Sequence, residues 1–393
     1  MNESGRAERE IEELLGERTG RECLYVPSCR LGIYIALVAS LEPGDRILMS
    51  PANDDVILFV VLAAGIRPVM APISPRNGNI DPDAIPDDQW RSVRAVMTTN
   101  LYGLPDRMPE LRARCDALGL LLIEDAAHAL HTETAGRPIG CFGELSVFSL
   151  SKHAAGVGGV VAIADPGRRG ELIALRDRFV EPRSLRVRGS DSLRPRASRL
   201  VERLHLRRAL RSASRTIGAA ERRAHRMPLA LTQLRTAGAA PALDGFDRWV
   251  RVDKHDYRLD QRPELLALTA AWLRAAEGDR EARIAGTSRL RELTAAAPAL
   301  RDAEPQAFYR VPLLVEDREA AGASLEAAGH PLEYVYDPPL DDYAGDEFVD
   351  PSPAPDAARW WVTHALPVDP LLADTALAAL AGPGLLSPPH RTV

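Results

Sequence analysis

The chain has 393 residues, 46% of them hydrophobic and 26% charged, which is typical of a globular protein large enough for two domains. Its net charge of −6 predicts no general attraction to nucleic acids or anionic membranes, and its four cysteines form neither a CxxC pair nor a metal-binding spacing. The charged N-terminal stretch has no signal-peptide core, and the longest apolar run, residues 56–66, is too short to span a bilayer, so we expect a cytoplasmic protein without a metal site.

Helical and strand patterns alternate through the first 165 residues. The segments with helical spacing are AEREIEELLGE, RLGIYIALVASL, DDVILFVVLAAG and RMPELRARCDALG. The segments with strand character are ECLYV, RILMSP, RPVMAPI, SVRAVMTTN, LLLIEDAAH, LSVFSLS and GGVVAIADP. Wholly apolar strands that alternate with helices predict an α/β fold, in which a mostly parallel sheet is covered on both faces. Ligands of such sheets bind at the carboxyl ends of the strands.

The composition changes at about Arg176. From there to Arg226 the chain is dense in arginine, and residues 198–212 have the spacing of an amphipathic helix. Strongly helical sequence follows, and then a mixture of helical and strand patterns. We predict a large domain over residues 1–250, with an Arg-rich insertion at about 176–250. A long helix and a small α+β domain are predicted over residues 251–393.

Three polar residues lie where predicted strands end. Asp125 closes an apolar strand, where a carboxylate either caps a helix or pairs with a protonated ring nitrogen of a cofactor. Lys152, in FSLSKHAAGVGG, is either an exposed lysine at a strand end or a desolvated, nucleophilic amine. Ser28, in VPSCRLGIYIAL, is either a helix N-cap or, with Arg30, part of an anion site at a helix N-terminus.

Taken in chain order, several segments together resemble the DegT/StrS-type sugar aminotransferases. These segments are PSCR, NLYGLP, IEDAAHA, PIGCFGELSVFSLSK, GVGG and DYR, and residues 124–159 are the most specific block. The resemblance implies pyridoxal 5'-phosphate (PLP) as cofactor and the aspartate aminotransferase fold, or fold type I. That fold has a seven-stranded, mostly parallel central sheet and a smaller C-terminal α+β domain. The resemblance also implies a homodimer, an amino donor such as Glu or Gln, and a ketone acceptor such as a keto sugar.

The resemblance further implies roles for individual residues. Lys152 would bond to the cofactor and move protons, and Asp125 would hold the pyridinium nitrogen. The other expected cofactor contacts are His128, Ser28, Cys29, Arg30, Asn53, Asp54 and Ser149. The expected substrate contacts are Asn100, Tyr102 and Tyr336.

Some positions depart from the family pattern. The phosphate loop has Cys29 and Arg30 where the family has Gly and Thr, and Asn100 stands at the usual His of the substrate loop. The approach from Ser149 to the lysine is also shorter than in the family. A sugar-dehydratase branch carries His in place of the lysine, and His153 directly follows Lys152. We assign the role to Lys152 because a lysine can bond to the cofactor.

The Arg-rich insertion is the largest departure. We interpret it either as a solvated or dimer-covering helix pair, or as an anion site for a diphosphate, a carrier-bound substrate or a membrane surface. The leading hypothesis is a PLP-dependent aminotransferase of secondary metabolite or glycan biosynthesis. The alternatives are another PLP reaction, such as dehydration, elimination, racemisation or decarboxylation, and a non-catalytic descendant.

Overall fold

The centre of the protein is a seven-stranded sheet. A computed structural model describes residues 3–153, 156–181, 226–251, 256–330, 332 and 336–390. The strands of the central sheet are β1 Glu22–Val26, β2 Arg46–Met49, β3 Arg67–Met70, β4 Ala95–Thr98, β5 Leu121–Asp125, β8 Leu145–Ser149 and β9 Gly159–Ile163. Two short antiparallel pairs lie outside it: β6 Glu133–Thr134 with β7 Arg137–Pro138, and β10 Val311–Leu314 with β11 Ala365–Val368.

The strand order in the sheet is β1-β9-β8-β5-β4-β2-β3. Strands β3, β2, β4, β5 and β8 pair in parallel, and β9 pairs antiparallel with both β8 and β1. Within this sheet, β9 therefore runs against its six companions. The predicted α/β fold with a mostly parallel seven-stranded sheet is confirmed.

Helices cover both faces of the sheet. In the first part of the chain they are α1 Glu3–Thr19, α2 Cys29–Val38, α3 Asp55–Ala63, α4 Asp87–Arg91, α5 Met108–Leu118, α6 Leu150–His153 and α7 Arg169–Phe179. Neighbouring residues of β1 enter different buried clusters: Leu24 packs with the cluster of α2 and α3, and Tyr25 with that of α1 and α5. This alternation follows from the two-residue period of a strand and places one core on each face.

The later helices are α8 Leu231–Ala239, α9 Leu243–Val250, α10 Pro263–Leu290, α11 Pro298–Asp302, α12 Arg318–Ala327, α13 Leu340–Ala344, α14 Asp356–His364 and α15 Ala373–Ala379. Helices α8, α9 and α13 join the cluster of α2 and α3, whereas α11, α12, α14 and α15 build a third core around β10 and β11. Helix α10 belongs to two cores, because Leu266 packs beside the large sheet and Leu290 beside β10. The division of the chain at residue 250 stays a prediction.

The predicted Arg-rich insertion falls largely on residues 182–225, which lie outside the described residues, as does its predicted helix at 198–212. The C-terminal part of the predicted range contains α9, which belongs to the buried core. Phe246 and Trp249 are buried there, and the Trp249 ring stacks on Phe59 of α3 with ring centroids 5.3 Å apart. Within the described ranges, no helix is both long and apolar enough to cross a bilayer.

Candidate active site

A cavity of about 260 Å³ lies at the carboxyl ends of β5 and β8. Its size is near the lower end for small-ligand sites, so it has room for one substituted aromatic ring. Ten of the twelve residues predicted to bind cofactor or substrate line it. They are Ser28, Cys29, Arg30, Asn53, Asp54, Asp125, His128, Ser149, Lys152 and Tyr336.

Asp125 ends β5 and is buried against the cavity, with 5% of its surface exposed. Its Oδ1 accepts a hydrogen bond from the Ala127 N–H at 3.0 Å. The pKa of Asp125 is raised to about 7, mainly by burial; the nearby Asp54 carboxylate also acts to raise this pKa, while the Ala127 N–H and Lys152 act to lower it. A carboxylate in this environment favours the approach of a cation, such as a protonated ring nitrogen.

Lys152 lies on the single turn of α6, directly after β8, rather than on a strand end. The side chain is half-buried, lines the cavity, and has its Nζ 5.5 Å from the ring centroid of Tyr309. His153 points instead into the core, where its Nε2 lies 2.9 Å from the His128 carbonyl oxygen. Burial holds the pKa of His153 well below its usual value. The geometry thus presents Lys152, and not His153, to the cavity.

Two glycines bring the lysine segment close to β1 and to the start of α2. Gly158 has a φ of 97°, and a Cβ there would lie 2.4 Å from the Tyr25 hydroxyl. A Cβ on Gly159 would lie 2.8 Å from the Cys29 nitrogen. Because a larger residue would collide with Tyr25 of β1 at position 158 and with Cys29 of α2 at position 159, the glycines permit this close approach.

Ser28 and Arg30 form the frame at the other end of the cavity. The Ser28 hydroxyl caps α2 by accepting from the Leu31 N–H at 3.1 Å, and it donates to the Tyr257 carbonyl at 2.9 Å. Arg30 donates to the Val250 carbonyl at 2.6 Å and lies over the Tyr257 ring. The geometry therefore favours the helix-cap interpretation of Ser28.

The hydroxyls of Ser149 and Ser151 lie 3.1 Å apart on the cavity lining. Cys29, the first residue of α2, lies close enough to Asp125 and Lys152 for both to affect its thiol, and burial raises the pKa of that thiol well above its usual value. The neutral thiol and the two hydroxyls offer a phosphate uncharged polar contacts at this end of the cavity.

Asn53 and Asp54 end the loop before α3. Asp54 caps that helix by accepting from the Val56 N–H at 3.0 Å. The Asn53 side-chain amide donates to the Thr99 hydroxyl at 3.3 Å. Both residues line the cavity, so the loop that the resemblance placed near the cofactor ring does border the same space as Asp125.

Asn100 and Tyr102 lie behind the cavity rather than on its lining. Asn100 is fully buried; its side chain donates to the Asp125 carbonyl at 3.2 Å and accepts from the Asp106 N–H at 3.0 Å. It therefore joins the ends of β4 and β5, which differs from the expected substrate contact. The Tyr102 ring stacks between His128 and Tyr336, with centroids 6.4 and 6.0 Å away.

Sequence reasoning missed two residues that build the site. The Tyr309 ring stacks on His128 with centroids 4.8 Å apart, and no local pattern marks it. Glu124 is buried and accepts from the N–H groups of Phe142 and Gly143 at 2.7 and 2.6 Å, which anchors the loop leading into β8. An acidic residue inside an apolar strand was the available signal, since a buried carboxylate needs several donors.

The sheet order, the reversed β9 and the cavity at the carboxyl ends of β5 and β8 define a fold type I transferase architecture. A DegT DnrJ EryC1 StrS aminotransferase from Brucella abortus superposes with a TM-score of 0.66 and 17% identity, over 98% of this chain and 91% of that one. Helicobacter pylori PseC, an aminotransferase of pseudaminic acid biosynthesis, gives a TM-score of 0.63 and 15% identity, over 97% of this chain and 91% of that one. These similarities show a shared fold.

Sequence comparison supports the resemblance to one family. Residues 1–188 match the model of the DegT/DnrJ/EryC1/StrS aminotransferase family, which confirms the predicted resemblance. A UDP-N-acetyl-3-dehydro-alpha-D-glucosamine 3-aminotransferase of Acidithiobacillus ferrooxidans is 32% identical over 45% of this chain and 49% of its own length. The spore coat polysaccharide biosynthesis protein SpsC of Bacillus subtilis is 30% identical over 40% of this chain and 41% of its own length. The chain thus spans about half the length of the curated relatives it matches.

Proposed function

We propose that this protein is a PLP-dependent aminotransferase. It would move an amino group from an amino acid, glutamate or glutamine, to a keto sugar or a related ketone. One observation carries the proposal: the fold brings Asp125 and Lys152 to the same cavity, at the ends of neighbouring strands. A relative named as an aminotransferase of a dehydro-glucosamine nucleotide supports the sugar as acceptor class.

The residues of the cavity fit the cofactor. The buried Asp125 carboxyl, with its pKa raised to about 7, matches a protonated ring nitrogen, and the Lys152 amine matches an aldehyde carbon. The hydroxyls of Ser149 and Ser151 and the first turn of α2 match a phosphate group. When bound, the cofactor supplies an electron sink for a carbanion at the amino acid Cα.

The protein's own contribution is charge, position and proton transfer. Asp125 holds a negative charge where a ring nitrogen needs one, and Asn100 fixes the end of its strand through the Asp125 carbonyl. Lys152 supplies a nucleophile and a base at one place. The His128 ring lines the cavity and stacks on Tyr309, which holds the His128 ring in place.

The composition adds an independent argument for Lys152. Of the 49 basic Lys and Arg residues, two are lysines, Lys152 and Lys254, and Lys254 lies outside the described residues. A chain that uses arginine almost everywhere keeps a lysine in this cavity. Arginine cannot take the place of a lysine amine as a nucleophile, because its guanidinium stays protonated.

The two lysines allow a sharp test. The purified protein, supplemented with PLP, is reduced with borohydride and digested, and the modified peptide is identified by mass spectrometry. We expect the label on Lys152. Lys152→Ala should lose the label and the visible absorption band, whereas the matched control Lys254→Ala should keep both. A label on Lys254, or no label in the wild type, would refute the assignment.

A second measurement tests transamination itself. Addition of L-glutamate or L-glutamine to the wild-type protein should convert the visible band to the shorter-wavelength form of the aminated cofactor. A stable band with every amino donor would favour another PLP reaction. We also propose a homodimer, which light scattering after size-exclusion chromatography would test. The cytoplasmic location and the membrane or carrier contact of the insertion stay predictions.

A further inference from the structure

Arg226 is the last residue of the Arg-rich stretch and is buried, with 8% of its surface exposed. Its guanidinium donates three hydrogen bonds to backbone carbonyls: to Asn53 at 2.6 Å, to Tyr336 at 2.8 Å and to Pro338 at 2.8 Å. The fork geometry of arginine allows one side chain to hold several acceptors at once. Since Asn53 and Tyr336 both line the cavity, Arg226 connects two parts of its wall.

Further hydrogen bonds join the same two parts, residues 51–55 and 336–343, which we call the wall loops. Met227 donates its N–H to the Asp55 carboxylate at 2.8 Å and accepts from the Tyr343 hydroxyl at 2.6 Å. The loops also meet directly, because the Leu340 N–H donates to the Pro51 carbonyl at 2.9 Å. Residues 226 and 227 therefore bridge the wall loops.

The wall that these contacts hold is conformationally strained. Tyr336 has a φ of 60°, and Tyr102, which stacks on it, has a φ of 59°. Positive φ values are uncommon for residues with a bulky side chain, and they persist where the surroundings fix the backbone. The hydrogen bond from Arg226 to the Tyr336 carbonyl acts at this strained peptide.

We infer that Arg226 is a positioning residue that holds the wall loops together and so fixes Tyr336 on the substrate side of the cavity. This inference rests on the proposed aminotransferase function. Arg226 acts through backbone carbonyls, and its loss would leave Lys152 and Asp125 in place. The substrate side of the cavity should then loosen while the cofactor still binds.

The test compares Arg226→Met with Arg226→Lys and with Arg235→Met as a matched surface control. Arg235 is exposed and pairs with Glu347 at 2.6 Å. The first readout is hydrogen–deuterium exchange of the Leu340 amide in the PLP-loaded protein. We expect faster exchange in Arg226→Met, an intermediate rate in Arg226→Lys, and the wild-type rate in Arg235→Met.

The second readout is the half-reaction of the loaded protein with L-glutamate, followed by the visible band; kcat and KM here denote its limiting rate constant and its half-saturating L-glutamate concentration. For Arg226→Met we expect kcat/KM to fall by roughly 10- to 100-fold, because small misplacements cost that much. The fall should lie mainly in KM, and Arg226→Lys should recover part of it. Unchanged exchange and unchanged KM in both Arg226 variants would overturn the inference, as would a loss of kcat alone.

The two proposals fail in different ways. If the wild type forms no PLP adduct, the proposed function fails, and the exchange of the Leu340 amide still measures the bridge. If the wild type reacts with L-glutamate and both Arg226 variants match it, the bridge has no positioning role. Should Arg226→Met not fold, Arg226→Lys carries the same comparison, with a smaller expected effect.

Discussion

Replacing Asp125 with asparagine tests two consequences of the buried carboxylate: the loss of stability of the cofactor-free protein and the contribution to PLP binding. In the cofactor-free protein, Asp125 is buried and has a pKa raised to about 7, against about 3.9 for an unfolded aspartate. Below about pH 4, the carboxyl is protonated in both states and imposes no penalty. Between about pH 4 and 7, the unfolded chain ionises first, so the folded state loses stability as the pH rises.

The size of the effect follows from the shift. A difference of about 3 pKa units, at 1.36 kcal/mol per unit, corresponds to at most about 4 kcal/mol at pH 8. Asparagine has the same shape and can still accept the Ala127 N–H through its carbonyl oxygen. We therefore expect Asp125→Asn to gain up to about 4 kcal/mol in free energy of unfolding at pH 8, relative to its effect at pH 4. The same variant should bind PLP more weakly, because the ring nitrogen loses its countercharge.

Urea denaturation of the cofactor-free wild type and variant, at pH 4 and pH 8, measures the first effect, and PLP titration the second. Asp106→Asn is the matched control. Asp106 is also buried, with a pKa raised to about 6, but it accepts from the N–H groups of Ile80, Thr99 and Asn100. By the same reasoning, its smaller shift of about 2 pKa units predicts a smaller gain for that variant between pH 4 and pH 8, of at most about 3 kcal/mol. If Asp125→Asn were equally destabilised at both pH values, the burial argument would be wrong.

Two further substitutions test the contacts that hold the backbone around the cavity. Ser28→Ala removes the hydroxyl that accepts from the Leu31 N–H and donates to the Tyr257 carbonyl. We expect the free energy of unfolding, measured by urea denaturation, to fall by about 1–2 kcal/mol and PLP binding to weaken. Unchanged values would show that the cap is dispensable. Gly158→Ala places a Cβ against the Tyr25 ring at a φ of 97°. We expect the free energy of unfolding to fall by more than about 1 kcal/mol and PLP occupancy to fall. A wild-type denaturation curve would contradict the close-approach argument.

Much of this protein follows from local sequence. The segment ECLYV is strand β1, and the apolar run ending in Asp125 is strand β5, because short apolar runs between turn residues have few other stable conformations. The order of Asp125, Lys152 and the glycines after it, together with PSCR and NLYGLP, was enough to predict the family resemblance. Because parallel strands bring their carboxyl ends together, the sequence also predicts that Asp125 and Lys152 lie near one edge of the sheet, and both line the same cavity.

Tertiary structure decided which side chains face the cavity and which distant backbone groups they bind, because these features depend on contacts between segments far apart in the chain. Lys152 and His153 are adjacent in sequence, and only the direction of one helical turn presents the lysine to the cavity and the histidine to the core. The bridge from Arg226 to Asn53 joins residues 173 positions apart, and nothing distinguishes this arginine from its neighbours in the Arg-rich stretch. A buried donor with distant backbone acceptors leaves no local pattern, so such residues are found in the fold and not in the sequence.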